Sequence, residues 1–327
     1  MVTAMNRLLV RFGITGGIPL LLVLATGCGT TPPARSEAQV RAETALNRGI
    51  RAEHRGDAPE AERLLTQSMT TSSSIEDYPL QTMALINLAR LYRLRPDLAK
   101  ADTFIDRAIK TTAMDTRYSA EAAYEKALIE LAKGSPATAQ AWAQKAIETE
   151  RGNSLGSRLN LAARIQLVRG MVDDAQALAG KALIENRSAG HPEEEANSLR
   201  ILGMIARNEH NHERGIQFLQ EALQIDKRIG KSSKIAADLA ELAESARSAG
   251  RLSESAIYLE RASEVNRAGG RVEQAIENQE RLAGVYTQLG NEQKALRARE
   301  TARRLAIPDA VQQPGSSSTT ISPSSKP

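Results

Sequence analysis

Residues 236–267 read AADLAELAESARSAGRLSESAIYLERASEVNR. Leu239, Leu242, Ala243, Ala246 and Ala249 step by three or four, which places them on one face of a helix. Gly250 follows, where a left-handed cap closes a helix without a Cβ clash. Leu252, Ala256, Leu259 and Ala262 form a second stripe that ends before Gly269-Gly270. Ser253 is the expected N-cap of this second helix, because its hydroxyl can accept from an exposed backbone N–H. The unit is a helical hairpin with small residues on its facing sides. Such a hairpin cannot bury both stripes by itself, so copies must stack.

The surrounding chain supplies the copies. Gly170, Gly190, Gly230, Gly250, Gly270 and Gly290 are all multiples of twenty residues apart. The one gap in this comb is filled by His210, within the turn-like run Glu209-His210-Asn211-His212. Successive turns at Gly56, Pro96, Gly134, Gly170, His210, Gly250 and Gly290 are spaced 40, 38, 36, 40, 40 and 40 residues apart. Hydrophobic residues make up 41% of the chain but aromatics only 3%, so alanine and leucine must fill thin layers of close-packed helix. No alternating strand pattern stands out, and the expected fold class is all-α.

Each copy repeats one motif. The first has Gly49, Gly56-Asp57, Ala61, Leu65 and Ser68; the second has Leu88-Ala89, Tyr92, Pro96-Asp97, Ala101, Ile105 and Ala108. The third has Ala127, Gly134, Ala139, Ala143 and Ala146, and the fourth Ala162-Ala163, Gly170, Ala175, Ala179 and Ala182. The fifth has Leu202-Gly203, Gly215, Leu219 and Ala222; the sixth Leu242-Ala243, Gly250, Ser255, Leu259 and Ala262. The seventh has Leu282-Ala283, Tyr286, Gly290-Asn291, Ala295 and Ala302. These residues resemble the tetratricopeptide repeat family. The period exceeds the family's standard of about 34 residues, so the resemblance is to its long-helix, kinesin-light-chain-like variety. It implies an α-solenoid of about seven hairpins over residues 36–306.

The N-terminus carries an address. Arg7 and Arg11 precede an apolar run from Phe12 to Ala25, shorter than the ~20 residues a membrane span needs. It ends in Leu24-Ala25-Thr26-Gly27-Cys28, and Cys28 is the only cysteine. This resembles the bacterial lipoprotein signal, with Ala25 where Leu is more usual. The resemblance implies cleavage of residues 1–27, diacylation of the Cys28 thiol (palmitate being a common acyl group) and, with Gly29 next, anchoring to the outer membrane facing the periplasm. Residues 28–35 then form a tether stiffened by Pro32-Pro33. Residues 307–327, rich in Pro and Ser, are expected to be disordered. The polar stretch Thr70–Asp77 is expected to be the widest loop, joining the first two copies.

Charge and motifs narrow the function. Net charge is +4, and +2 once Arg7 and Arg11 leave with the signal, an interspersed surface rather than a nucleic-acid stripe. There is no phosphate loop, nucleophile elbow or His-Glu-x-x-His, and the four histidines, His54, His191, His210 and His212, lie near expected turns. No catalytic residue, metal site, cofactor or small-molecule substrate is expected. Trp142 reads as a packing residue, and Glu193-Glu194-Glu195 as charge favourable to a helix start. In the resembled family the first helices of successive repeats line a concave groove. That face projects onto Asn160, Arg164, Asn197, Arg200, Arg207 and Asn208 as a groove for a protein or peptide segment. Arg90 and Arg93 would extend its basic side, and Glu241, Glu244, Glu277 and Glu280 would give it an acidic end. The expectation is a non-enzymatic, membrane-anchored scaffold in the assembly of an envelope machine such as a pilus, a secretion system or polysaccharide export. The alternative is an adaptor that regulates a cell-wall hydrolase or protease.

Overall fold

A computed structural model describes residues 35–307. The signal segment, Cys28, the tether up to residue 34 and the tail beyond Ile307 lie outside the described residues. The described residues hold fourteen α-helices in seven hairpins, and no strand. The first three hairpins are α1 (Glu37–His54) with α2 (Ala58–Ser74), α3 (Tyr78–Leu94) with α4 (Leu98–Thr111), and α5 (Ser119–Ala132) with α6 (Pro136–Thr149). Next come α7 (Leu155–Val168) with α8 (Val172–Ala189) and α9 (Pro192–Asn208) with α10 (His212–Arg228). The last two are α11 (Ser232–Ser248) with α12 (Leu252–Ala268) and α13 (Val272–Gln288) with α14 (Glu292–Ala306). The shortened turn spacings at 134 and 170 correspond to shorter rods: α5, α6 and α7 have 14 residues each, while α9 to α13 have 17.

The comb of turns is a comb of left-handed caps. Gly250 has φ +76°; its N–H donates to Arg247 O, and the Arg251 N–H reaches back to Ala246 O at 2.8 Å. His210 adopts the same conformation, with φ +61° and the same pair of bonds to Arg207 O and Ala206 O. The missing glycine is therefore a substitution within an unchanged turn. A Cβ in this region is strained, so His210→Gly is expected to raise stability by up to about 1 kcal/mol in denaturant unfolding. A loss of stability would mean the imidazole holds the turn.

The residue directly after the left-handed position is the N-cap of the next helix. Asp57, Asp97 and Asn291 accept there from the backbone N–H groups of Glu60, Lys100 and Lys294. That register corrects the expectation for Ser253: α12 begins at Leu252 behind Arg251, with no side-chain cap, and Ser253 lies inside the first turn. The polar stretch 70–77 is also corrected. Helix α2 runs through it to Ser74, because hydroxyls there bond to carbonyls rather than break the helix. Ser72 Oγ donates to Ser68 O, and Ser68 Oγ crosses to Ala42 O on α1, both at 2.8 Å. The longest irregular connection instead joins α4 to α5, where Asp115 caps a single 3-10 turn over Thr116–Tyr118.

Packing is between neighbours. One core joins α1, α2 and α3 through Leu46, Leu65 and Leu88; another joins α5, α6 and α7 through Ala127, Ala143 and Ile165. The longest runs from Ile216 on α10 to Ala298 on α14. The second helices bury alanine at helical spacing, as Ala175, Ala179 and Ala182 do on α8. At the fifth hairpin even alanine is too large: a Cβ on Gly203 would lie 2.7 Å from Leu219 Cγ and 3.1 Å from Gly215 O. Trp142 packs on the α5–α7 core, with Lys145 Nζ 5.0 Å from its ring centroid.

Candidate functional site

The first helices of neighbouring hairpins touch one another, α1 with α3, α3 with α5, α5 with α7, α7 with α9 and α9 with α11. The second helices make no comparable contact among the described residues. The first helices therefore crowd the inner side of the stack, and a cavity of about 470 Å³ opens there. Tyr124 and Leu131 from α5, Leu161 and Leu167 from α7, and Ile201 and Met204 from α9 supply its apolar lining. Asn160, Arg164, Asn197 and Arg200, projected from the sequence onto the groove, all line this one cavity. Arg207 and Asn208 do not line it: Arg207 is tied to Glu241 at 2.6 Å, and Asn208 is exposed at the end of α9.

The polar residues divide into those that hold the wall and those left for an occupant. Asn160 is 4% exposed and belongs to the wall. Its amide donates to the Glu194 carbonyl and to Glu194 Oε2, both at 3.0 Å, and its oxygen accepts from Ser198 Oγ at 2.8 Å. Asn186 on α8 donates to Ser198 Oγ and to the Glu194 carbonyl, joining three helices in one network. Arg200 is equally committed. Its Nη2 donates to Asp226 Oδ2, its Nε to Asp238 Oδ1 and its Nη1 to Asn197 Oδ1, each at 2.6 Å. Arg90 and Arg93 meet the buried Glu125, at 3.7 and 2.6 Å. Most of the basic middle inferred from sequence is thus internally neutralised.

Two cations remain. Arg164 is exposed at the cavity and makes no ion pair or hydrogen bond among the described residues. Lys234, on the first turn of α11, is half-buried, and its Nζ donates to the neutral Asn197 Oδ1 at 3.2 Å. Burial, and then the Arg200 charge, push the Lys234 ammonium below its usual pKa. Burial likewise pushes up the Tyr124 hydroxyl, with Glu194 adding to the shift.

Asp226 and Asp238, both 0% exposed, were not picked out in the sequence, yet a signal was there. One period of 40 residues before and after Asp226 stand Asn186 and Asn266; one period around Asp238 stand Ser198 and Asn278. All six are buried polar residues. The repeats carry a polar ladder along the apolar core, and its charged rung lies behind the cavity.

That rung has a pH signature. Burial raises the Asp238 carboxyl to about 7, against the pull of Arg200 and with Asp226 adding to the rise. Unfolded, the same group titrates near about 4, so between about 4 and 7 the folded state holds the extra proton. This contribution to stability is whole below about pH 4, falls steadily as pH rises, and is gone once pH has passed about 7. Asp238→Asn keeps the acceptor for Arg200 and supplies a permanent N–H where the proton sits. It is expected to melt higher than the parent near pH 8, by a smaller margin near pH 5.5, and about equally near pH 4. An unchanged slope of melting temperature with pH would remove Asp238 from this role.

No family model matches the chain, and no curated protein does. Solved structures do. A Rap protein in complex with competence and sporulation factor superposes with a TM-score of 0.62 at 16% identity, over 82% of this chain and 77% of that one. A tetratricopeptide repeat protein from Parabacteroides merdae gives 0.54 at 12% identity, over 83% and 96%. The chain has the fold of a tetratricopeptide-repeat solenoid. A signal-transduction ATPase of Pyrococcus horikoshii with a tetratricopeptide repeat sensor also superposes on the solenoid, at 0.63 and 16% identity over 83% of this chain. The solenoid spans 43% of that larger protein. Among the described residues no group of three or more His, Cys, Asp or Glu side chains is placed to hold a metal ion. No described helix is long and apolar enough to cross a membrane.

Proposed function

We propose that the chain is a periplasm-facing lipoprotein scaffold, held at the membrane through Cys28, that seats a segment of a partner protein in the cavity between α5, α7, α9 and α11. The observation that carries this reading is the cavity itself: an apolar trough on the inner side, with Arg164 uncommitted at its edge and the surrounding polar groups fixed. The fold supports it, since stacked hairpins expose a long preformed surface at little conformational cost. The Rap structure, solved with its factor bound, and the tetratricopeptide repeat sensor of the Pyrococcus ATPase fit a binding surface of this kind. The lipobox Leu24–Cys28 supports the anchor. The reading assigns the solenoid no reaction of its own. Its setting is the assembly of an envelope machine, such as a pilus, a secretion system or polysaccharide export.

Affinity capture from detergent-solubilised membranes tests the groove. Arg164→Glu with Val168→Glu alters two exposed cavity residues and is expected to lose the partner. Gln217→Glu with Gln224→Glu adds the same number of carboxylates on exposed positions of α10 and is expected to retain it. Equal recovery by both variants would place the binding surface elsewhere.

A further inference from the structure

We propose that the occupant of the cavity presents a carboxylate to Lys234, and that the Asp226–Asp238 pair behind it takes up one proton from solvent as that carboxylate seats. The inference rests on the groove reading above and specifies its chemistry.

The first observation is a cation without an anion. Lys234 Nζ is withdrawn from water and its hydrogen-bond acceptor is neutral. No carboxylate lies within ion-pair distance of it among the described residues, although the chain is otherwise laced with ion pairs. A desolvated ammonium is costly unless an opposite charge meets it. Glu193 is turned to Lys231 at 2.9 Å, and Glu194 is bonded to Asn160. Arg164 stands on the same cavity as a second uncommitted cation, so a carboxylate on an apolar stem would find its charge and its stem both matched.

The second observation is independent. Arg200 bonds one oxygen of Asp226 and one of Asp238, and the other two oxygens, Asp226 Oδ1 and Asp238 Oδ2, are buried with no partner. One proton between them satisfies both. With that proton, the single charge of Arg200 faces a single carboxylate charge. Without it, a second negative charge lies behind Lys234 and compensates the ammonium in an empty cavity. The charged groups facing this cluster are Arg200, Glu193 and Glu194 from α9, with Lys231 and Lys234 at the start of α11. An incoming carboxylate replaces the second negative charge as the counterion of Lys234 and repels it. The proton then moves from solvent onto the pair, and no bond other than its own is made or broken. Because Asp238 titrates near about 7, occupancy of the cavity shifts the proton in the physiological range, and binding tightens as pH falls.

Calorimetry on the full-length protein in detergent micelles tests this, using two octapeptide pools of Leu, Val and Phe with a central Asp or a central Asn. The Asp pool is expected to bind about tenfold tighter, with uptake of up to one proton near pH 8 and almost none near pH 5.5. Lys234→Met is expected to erase the preference for Asp. Asp238→Asn is expected to keep the preference and lose the pH dependence. Equal binding of the two pools would overturn the carboxylate assignment while leaving the groove in place, and so would failure of both pools while the Arg164→Glu, Val168→Glu variant still loses its membrane partner. Preference for Asp without proton uptake would overturn the coupling. Partner capture indifferent to the cavity variant would overturn the groove itself.

Discussion

Arg200→Ala is expected to destabilise the solenoid by about 3–5 kcal/mol, because it leaves two buried carboxylates facing each other with no cation. A truncation elsewhere on the inner face removes a contact; this one strands charge. The expected fall in melting temperature is roughly 10 °C, at about 2–4 °C per kcal/mol for a protein of this size class. Two features separate this mechanism from ordinary loss of packing. The deficit should shrink in acid, since protonation of Asp238 relieves half of the stranded charge. It should also be local: in a nearest-neighbour stack, hydrogen exchange should accelerate over α9, α10 and α11 before it does over α1 to α4. Combining Arg200→Leu with Asp226→Leu and Asp238→Leu should recover most of the loss, as apolar replacement of a buried ion cluster commonly does. A cost below about 1 kcal/mol, equal at pH 5.5 and pH 8, would mean that water reaches the cluster and the carboxylates are not confined.

Cys28→Ser is expected to have the second large effect, on location rather than stability. Each buried CH₂ of an acyl chain contributes about 0.8 kcal/mol, so a second chain converts marginal attachment into a stable anchor. No described helix is long and apolar enough to cross a membrane. The parent is expected in the membrane fraction after a high-salt wash, and the variant is expected to leave it. A variant retained as firmly as the parent would show that the lipid is not the anchor.

The sequence made the rhythm of the fold visible because the turns carry the whole demand for a left-handed residue. Glycine answers it at Gly170, Gly250 and Gly290, and the gap at His210 was still readable as a turn. It misled at residues 70–77, where a run of Ser and Thr reads as loop but sits in α2, with hydroxyls bonded back to carbonyls. Helical spacing sufficed to bring Asn160, Arg164, Asn197 and Arg200 to one cavity, since a first-helix face keeps its register over one period. Spacing within a helix could not show which of them are free. Arg200 is consumed by Asp226 on α10 and Asp238 on α11, and that pairing is set by how neighbouring hairpins stack. Lys234 escaped notice because it belongs to the next hairpin and enters the cavity across a boundary.

The central claim is that a partner segment lies on the inner face, between α5 and α11. Photo-crosslinking in intact membranes tests it most directly, with a photoreactive residue placed in turn at Arg164 and Met204 on the cavity and at Gln217 and Gln224 on α10. The account predicts one discrete adduct, of the same partner, from both inner positions and none from α10. Adducts from α10 with none from the cavity would contradict it.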